Sequence, residues 1–313
     1  MMLLVNNEDI SDVATNLKYK SEWNNGAGVL TFEYPTYQTK MYPNGSTVTF
    51  QYNGANIFYG FLFKTAQDKK KYKCTCYDQL RYFKSSNSIM RPVCTLTEFL
   101  NTVAYSVGDR IRLGKVDSTV VKLGKYLFDN KTHLDMIYQS IKDNLVANGY
   151  WYALRDNFGA LDLRDIVDLR LPIIIGDGSL GTDFDYEKSI DDDTFNYIKV
   201  AKDDKDKGVR NTYVSMDSST IGKWGRLMYY DKVSADLNDS QLATRSRQLL
   251  QLKNRETQTL RVECIGDTRV FGGSGIKVMI AEAGLNLWAV VNSVTHEFTK
   301  NKHTMNLELK FVW

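Results

Sequence analysis

The sequence predicts a mainly β protein of the α+β kind, with two related tube-like antiparallel β-barrels and a small α+β module between them. Three observations carry this. Residues 258–313 hold four runs in which apolar and polar residues alternate, Thr259-Leu-Arg-Val-Glu263, Gly273-Ser-Gly-Ile-Lys-Val-Met-Ile280, Leu287 to Phe298 and Thr304 to Trp313, punctuated by Gly, Asn and Asp. A period of two between turn residues reads as antiparallel strands. The same four runs recur near the other end: Leu30-Thr-Phe-Glu33, Gly45-Ser-Thr-Val-Thr-Phe-Gln-Tyr52, Ile57-Phe-Tyr-Gly-Phe-Leu-Phe63 and Tyr72-Lys-Cys-Thr-Cys-Tyr77. Gly45–Tyr52 aligns with Gly273–Ile280 without a gap, and a Lys-rich tip precedes the last run in both copies. Between the copies the period changes to that of helices.

A chain of 313 residues has room for two or three domains. Residues 1–92 are read as the first barrel. A first strand near Val13–Tyr19 leads through the turn Asn24-Asn-Gly-Ala-Gly28 into the four runs, Tyr77–Lys84 ends the last of them, and Arg91-Pro92 marks a boundary, because a residue before proline is pushed out of helix. Residues 93–170 form the α+β module. Thr95-Leu-Thr-Glu98 is a capping box ahead of Leu96, Phe99, Leu100, Val103, Ala104 and Val107 at helical spacing, with Gly108 as the stop. Thr132-His-Leu-Asp135 opens a second helix whose apolar face is Leu134, Ile137, Tyr138, Ile141 and Leu145, and Asn148-Gly149 ends it. Tyr150–Leu154 and Ala160–Leu163 flank a turn and read as a hairpin.

Residues 171–313 are read as the second barrel. Gly176–Gly181 is expected to be loop, and Phe195–Ala201 and Gly208–Ser215 a hairpin around the charged tip Lys202–Lys207. A helix inserted near 240–253, with Leu242, Ser246, Leu249, Leu250 and Lys253 on one face, is expected to cover one side of that barrel.

Composition excludes several function classes. The net charge of +3 is close to balance, so nothing marks a polyanion binder, while 19 Tyr, 12% aromatics and only 4 Pro suit extended sheet. The opening Met1-Met-Leu-Leu-Val5 lacks a basic n-region and a long apolar core, so no signal peptide is read. No run reaches the roughly 18 apolar residues of a membrane helix, so no stable membrane insertion is expected. Synthesis in the cytoplasm is the expectation. Cys74, Cys76, Cys94 and Cys264 lack zinc spacing and read as buried free thiols.

The catalytic inventory is thin. Of three histidines, His296 and His303 stand on either side of the last turn, where a tight hairpin brings them face to face, but no third ligand lies at a usual metal spacing. No nucleophile elbow or P-loop is present, and Gly272-Gly-Ser-Gly275 precedes a strand, not the helix N-terminus that a phosphate site needs. The acids Asp183, Asp185, Glu187, Asp191, Asp192 and Asp193 lack an EF-hand's glycine and terminal glutamate, and read as a solvated loop. Lys69-Lys-Lys-Tyr-Lys73 reads as a soluble turn with protective edge charges and not as a nucleic-acid patch. Among 37 acids no pair stands out for glycoside hydrolysis. No catalytic residue, cofactor or metal site is expected.

Several stretches together resemble the baseplate hub proteins of contractile phage tails and phage-tail-like bacteriocins, the XkdQ/YqbQ-type family. They are Phe32-Glu-Tyr-Pro35, Tyr59-Gly60 before Phe61, Thr194-Phe-Asn-Tyr-Ile-Lys-Val200 and Gly225-Arg-Leu-Met-Tyr229. The most specific are Tyr77-Asp78-Gln79-Leu80-Arg81-Tyr82, running on to Lys84, and His303-Thr304-Met305, running on to Leu309. Phe195 departs from the pattern, which has a less bulky residue there. The resemblance implies a structural, non-enzymatic homotrimer in which three chains of two barrels each make a six-part ring. That ring would join a six-fold tail tube protein to a three-fold central spike protein, with baseplate wedge proteins around it and the tape measure protein as a further candidate contact. It implies no specific nucleic acid, and a place in the virion or bacteriocin particle. The other classes weighed are a tail-associated peptidoglycan hydrolase and a cell-wall carbohydrate-binding module. A hydrolase would need an added lytic domain, for which the sequence, closing on its last strand, leaves no room.

Overall fold

The structure is a computed structural model and describes residues 1–37, 39–176, 181–204, 208–233 and 237–312. The first part comprises β1 (Met2–Val5), β2 (Glu8–Asp9), β3 (Thr15–Glu22), β4 (Val29–Pro35), β5 (Thr47–Tyr52), β6 (Ala55–Gln67) and β7 (Lys71–Tyr77). A 3-10 helix (Gln79–Lys84) leads to β8 (Ser86–Arg91), α1 (Leu96–Val107), β9 (Leu113–Val116), β10 (Tyr126–Thr132), α2 (His133–Asn148), β11 (Tyr152–Asp156) and β12 (Leu161–Asp165). Then come β13 (Arg170–Gly176), β14 (Gly181–Ser189), β15 (Tyr197–Asp204), β16 (Val209–Met216), α3 (Ser218–Trp224), β17 (Met228–Lys232) and α4 (Asp239–Lys253). The last strands are β18 (Thr257–Ile265), β19 (Gly275–Ile280), β20 (Leu285–Phe298) and β21 (His303–Lys310).

The internal repeat is a repeat of strand order. In the first half the neighbours run β5-β6-β7-β4, and in the second β19-β20-β21-β18. The match extends to single rungs. Leu62, Cys76 and Leu30 lie side by side across β6, β7 and β4, as Val291, Leu309 and Leu260 do across β20, β21 and β18. All six are at most 1% exposed, so each rung anchors the core of its half. One step further, both ladders slip by a residue, between Leu62 and Lys64 in one and Val291 and Ser293 in the other. A bulge at the same rung bends and twists both halves alike.

The two halves are not separate closed barrels. Their strands form one 13-stranded sheet, and among the described residues the pairing path from β14 to β2 does not return on itself. The join is β3, which pairs with β4 on one edge and with Ser293–Phe298 of β20 on the other. The reason lies in length. β20 has 14 residues and β19 only 6, so the far end of β20 would leave an edge unpaired without β3.

Both capped helices form as their spacing predicts. Thr95 accepts from the Glu98 N–H while Glu98 accepts from the Thr95 N–H, and Gly149 ends α2 in the left-handed region at φ 81°. Leu96, Phe99, Leu100 and Val103 are buried with Leu134 and Ile137 in one core, together with Leu161 and Leu163 of the β11–β12 hairpin. The strands β8, β9, β10 and β17 and the short α3 carry too little periodicity to be read from sequence.

Three expectations need correction. The inserted helix α4 packs on β15, β16 and α2, so it covers the separate sheet β16-β15-β17 and not the side of the second barrel unit. Its Leu242 and Leu249 meet Ile198 and Val200 of β15, because the apolar alternation of β15 offers the matching face. The first half of the acidic run is a strand, not a loop: β14 pairs with β18, and Phe184 and Tyr186 alternate with Asp185 and Glu187. Tyr77–Lys84 does not simply finish a strand either. β7 stops at Tyr77, where Asp78 caps the 3-10 helix. Of the expected loops, Asp177–Leu180 and Lys205–Lys207 lie outside the described residues.

Candidate functional site

The motif residues of the first half form a joint between the sheet and the α+β module. Tyr77 is the last rung of β7, opposite Val29 and Phe61. The turn that follows is set by Asp78, whose Oδ1 accepts from the Leu80 N–H at 2.9 Å and whose Oδ2 accepts from the Gly28 N–H at 2.6 Å. The Asp78 N–H in turn donates to the Gly28 carbonyl. This approach requires glycine at position 28, because a Cβ there would sit 2.7 Å from Asp78 Oδ2 and 3.0 Å from the Tyr19 hydroxyl. Gln79 bridges outward, its Nε2 donating to Asp156 at 2.6 Å and its Oε1 accepting from the Arg112 N–H at 2.9 Å. Leu80 and Phe83, buried on the next turn, belong to the core of the module. Residues 77–83 are thus sheet at one end and helix core at the other.

The other face of the 3-10 helix carries Arg81 and Tyr82. The Arg81 guanidinium lies 5.3 Å from the Phe63 ring centre, and Tyr82 packs edge-on against Phe61 at 5.6 Å. Arg110 donates to the Tyr82 hydroxyl at 2.9 Å and covers Phe61 at 4.7 Å. Such cation–π contacts hold the module against the bulge of β6.

Electrostatically the joint is a buried acidic pair. Burial, then the neighbouring Asp156 charge, pushes the Asp78 carboxyl well above the usual range. Burial raises Asp156 to about 6, against the hydrogen bonds from Gly159 and Gln79. A raised pKa also marks catalytic acids, but here both Asp78 oxygens are occupied by backbone N–H groups and the residue is 3% exposed. The arrangement fixes a turn.

The second motif, His303–Met305, opens β21. Met305 is fully buried in the core of the second half, between Cys264 and His296 on the neighbouring strands, and Thr304 lies between Ile265 and Glu297. The two histidines do face each other, with His296 Nδ1 and His303 Nε2 2.9 Å apart. The direction of this bond follows from its neighbour. His296 Nε2 lies 2.9 Å from the Val270 carbonyl, which can only accept, so Nε2 carries the proton and Nδ1 accepts from His303. The nitrogens that would hold a shared metal are therefore spent on each other. Among the described residues no three His, Cys, Asp or Glu side chains gather as a metal set. Burial lowers His296 to about 4 and lowers His303 as well.

Sequence reasoning missed Gly28, Tyr19 and Asp156 as partners of Asp78. Gly28 and Asp156 read as ordinary turn residues, and no spacing signal links positions so far apart in the chain.

The comparisons agree with this architecture. A family model described as YqbQ-like matches residues 17–310. The phage-like element PBSX protein XkdQ of Bacillus subtilis (strain 168) is 26% identical over 280 residues, covering 85% of this chain and 81% of that protein. Among solved structures, the 43 kDa tail protein of prophage MuSo2 from Shewanella oneidensis has a TM-score of 0.71 at 12% identity, over 98% of this chain and 97% of its own. A tail protein from Neisseria meningitidis MC58 also reaches 0.71, at 14% identity, over 100% and 97%. At such identities the likeness establishes a shared fold, and the sequence match over residues 17–310 shows that the chain belongs to the YqbQ-like family.

Proposed function

We propose that this chain is the structural baseplate hub of a contractile tail or tail-like bacteriocin. In this reading a homotrimer joins the six-fold tail tube protein to the three-fold central spike protein, with baseplate wedge proteins and the tape measure protein as further neighbours. The observation that supports it is the strand order repeated within one chain, down to the same buried rung and the same bulge. Two similar units per chain make six in a ring only if three chains close head to tail, which is the adaptor's task. The working division is 1–92 and 171–313 for the two barrel-derived units and 93–170 for the module between them. The naming of its relatives as phage-element and tail proteins supports the setting. A structural role, without catalysis, accords with motif side chains that are spent on backbone groups and on each other. The test is the copy number in intact particles. Three copies at the junction of tube and spike are expected, and six copies or a dimer would overturn the reading.

A further inference from the structure

The join between the halves can be continued by symmetry. Tyr19 of β3 sits on the rung of Leu30, and Tyr186 of β14 sits on the equivalent rung of Leu260. β14 is therefore to β18 what β3 is to β4. The second edge of β3 is filled by Ser293–Phe298 of β20, beyond the bulge. The equivalent stretch beyond the bulge of β6 is Lys64–Gln67, which pairs with β7 on one side. Among the described residues no strand pairs with its other side, nor with Tyr186–Ser189 of β14 on the side away from β18. Each half thus repeats one side of a junction that the chain itself completes only once.

We propose that the Tyr186–Ser189 edge of β14 pairs with the Lys64–Gln67 edge of β6 in a second copy of this chain, in the register of the internal β3–β20 join. This rests on the trimeric reading above and names the surface that closes the ring. Carrying Tyr19 opposite His296 over to the equivalent positions puts Tyr186 opposite Gln67, Glu187 opposite Ala66, Lys188 opposite Thr65 and Ser189 opposite Lys64.

The next rung of the same register sets Asp185 opposite Asp68, so charge bears on the contact only through the overall balance of the two edges. The stretch Lys64–Lys73 holds five lysines and one aspartate, while Gly181–Ser189 holds three acids and one lysine. At the internal join the polarity is reversed: Lys18 on β3 meets Glu297 on β20 at 2.7 Å. β3 thus suits β20 by a direct ion pair, while β14 and the β6–β7 tip complement each other in overall charge. The acidic run and the lysine-rich tip, unexplained by any chemistry, become two sides of one contact.

The test uses two full-length variants at exposed positions, Ala66→Cys and Glu187→Cys, concentrated and oxidised alone and as an equal mixture, with native mass measured in parallel. Expected is a species of three chains and a covalent dimer that forms in the mixture but in neither variant alone. A covalent dimer within one variant alone would mean a two-fold contact and refute the pairing. A three-chain species without the mixed cross-link would refute this edge and leave the trimer standing. Monomers at every concentration, or two-chain assemblies without the cross-link, would overturn both.

Discussion

Replacing His296 with glutamine tests whether burial at the join between the halves holds this imidazole neutral. The ring is 2% exposed, and burial moves its pKa from about 6.5 to about 4. The folded state therefore binds fewer protons than the unfolded one through this window, and stability rises with pH. The contribution is fully present above about 6.5 and is lost as the pH falls towards about 4. The whole shift corresponds to about 3 kcal/mol, of which about 2 kcal/mol, roughly thirtyfold in the folded-to-unfolded ratio, is lost between about pH 7 and about pH 5. Asp156 acts with the opposite sign, since its raised pKa removes stability as the pH rises from its ordinary value to about 6. The total profile of the protein is thus a sum, and the informative quantity is the difference between wild type and variant. The His296→Gln penalty, measured by urea unfolding, is expected to be smaller by about 2 kcal/mol at about pH 5 than at about pH 7. An equal penalty at both would refute the argument that desolvation sets this histidine's charge.

Two further changes probe the joint and the core. Gly28→Ala forces a Cβ against Asp78 and Tyr19, and is expected to cost about 1–3 kcal/mol, read as a lowered thermal midpoint. The four cysteines are free and buried, and burial raises Cys76 well above the usual range and Cys264 to about 12. A thiol reagent at neutral pH is expected to label none of them in the folded protein and all of them in denaturant, and rapid native labelling would contradict the packing of β7 and β18.

The legible part of the fold was what repeats with a short period. Alternation gave β4, β5, β7 and β18 to β21, and capping boxes gave α1 with its stop. The gapless Gly45–Tyr52 match landed on strands with coincident ends, Thr47–Tyr52 and Gly275–Ile280. What stayed hidden depends on contacts between distant residues. The sequence shows Asp78 beside Gln79 but not that Gly28 receives one and Asp156 the other. It shows that β14 is rich in acids, a composition shared with solvated loops, but its pairing with β18 becomes visible only once Leu260 has a neighbour. The destination of α4 was lost for the same reason: an amphipathic helix declares that it has an apolar face and says nothing of which sheet receives it.

The β3–β20 pairing has a consequence for how the chain is made. Lys18 and Glu297, which close it, are 279 residues apart in sequence. At ribosomal rates of roughly 5–20 residues per second the outer edge of β3 waits tens of seconds for its partner. During that time the first half is a nearly finished sheet with an open side, in a cell where other nascent copies of the same chain are crowded on one message. Lys18, Lys20 and Glu22 line that side and give it the charged character that discourages edge-to-edge aggregation. The residues that bond the two halves in the finished protein also guard the unfinished one on the ribosome.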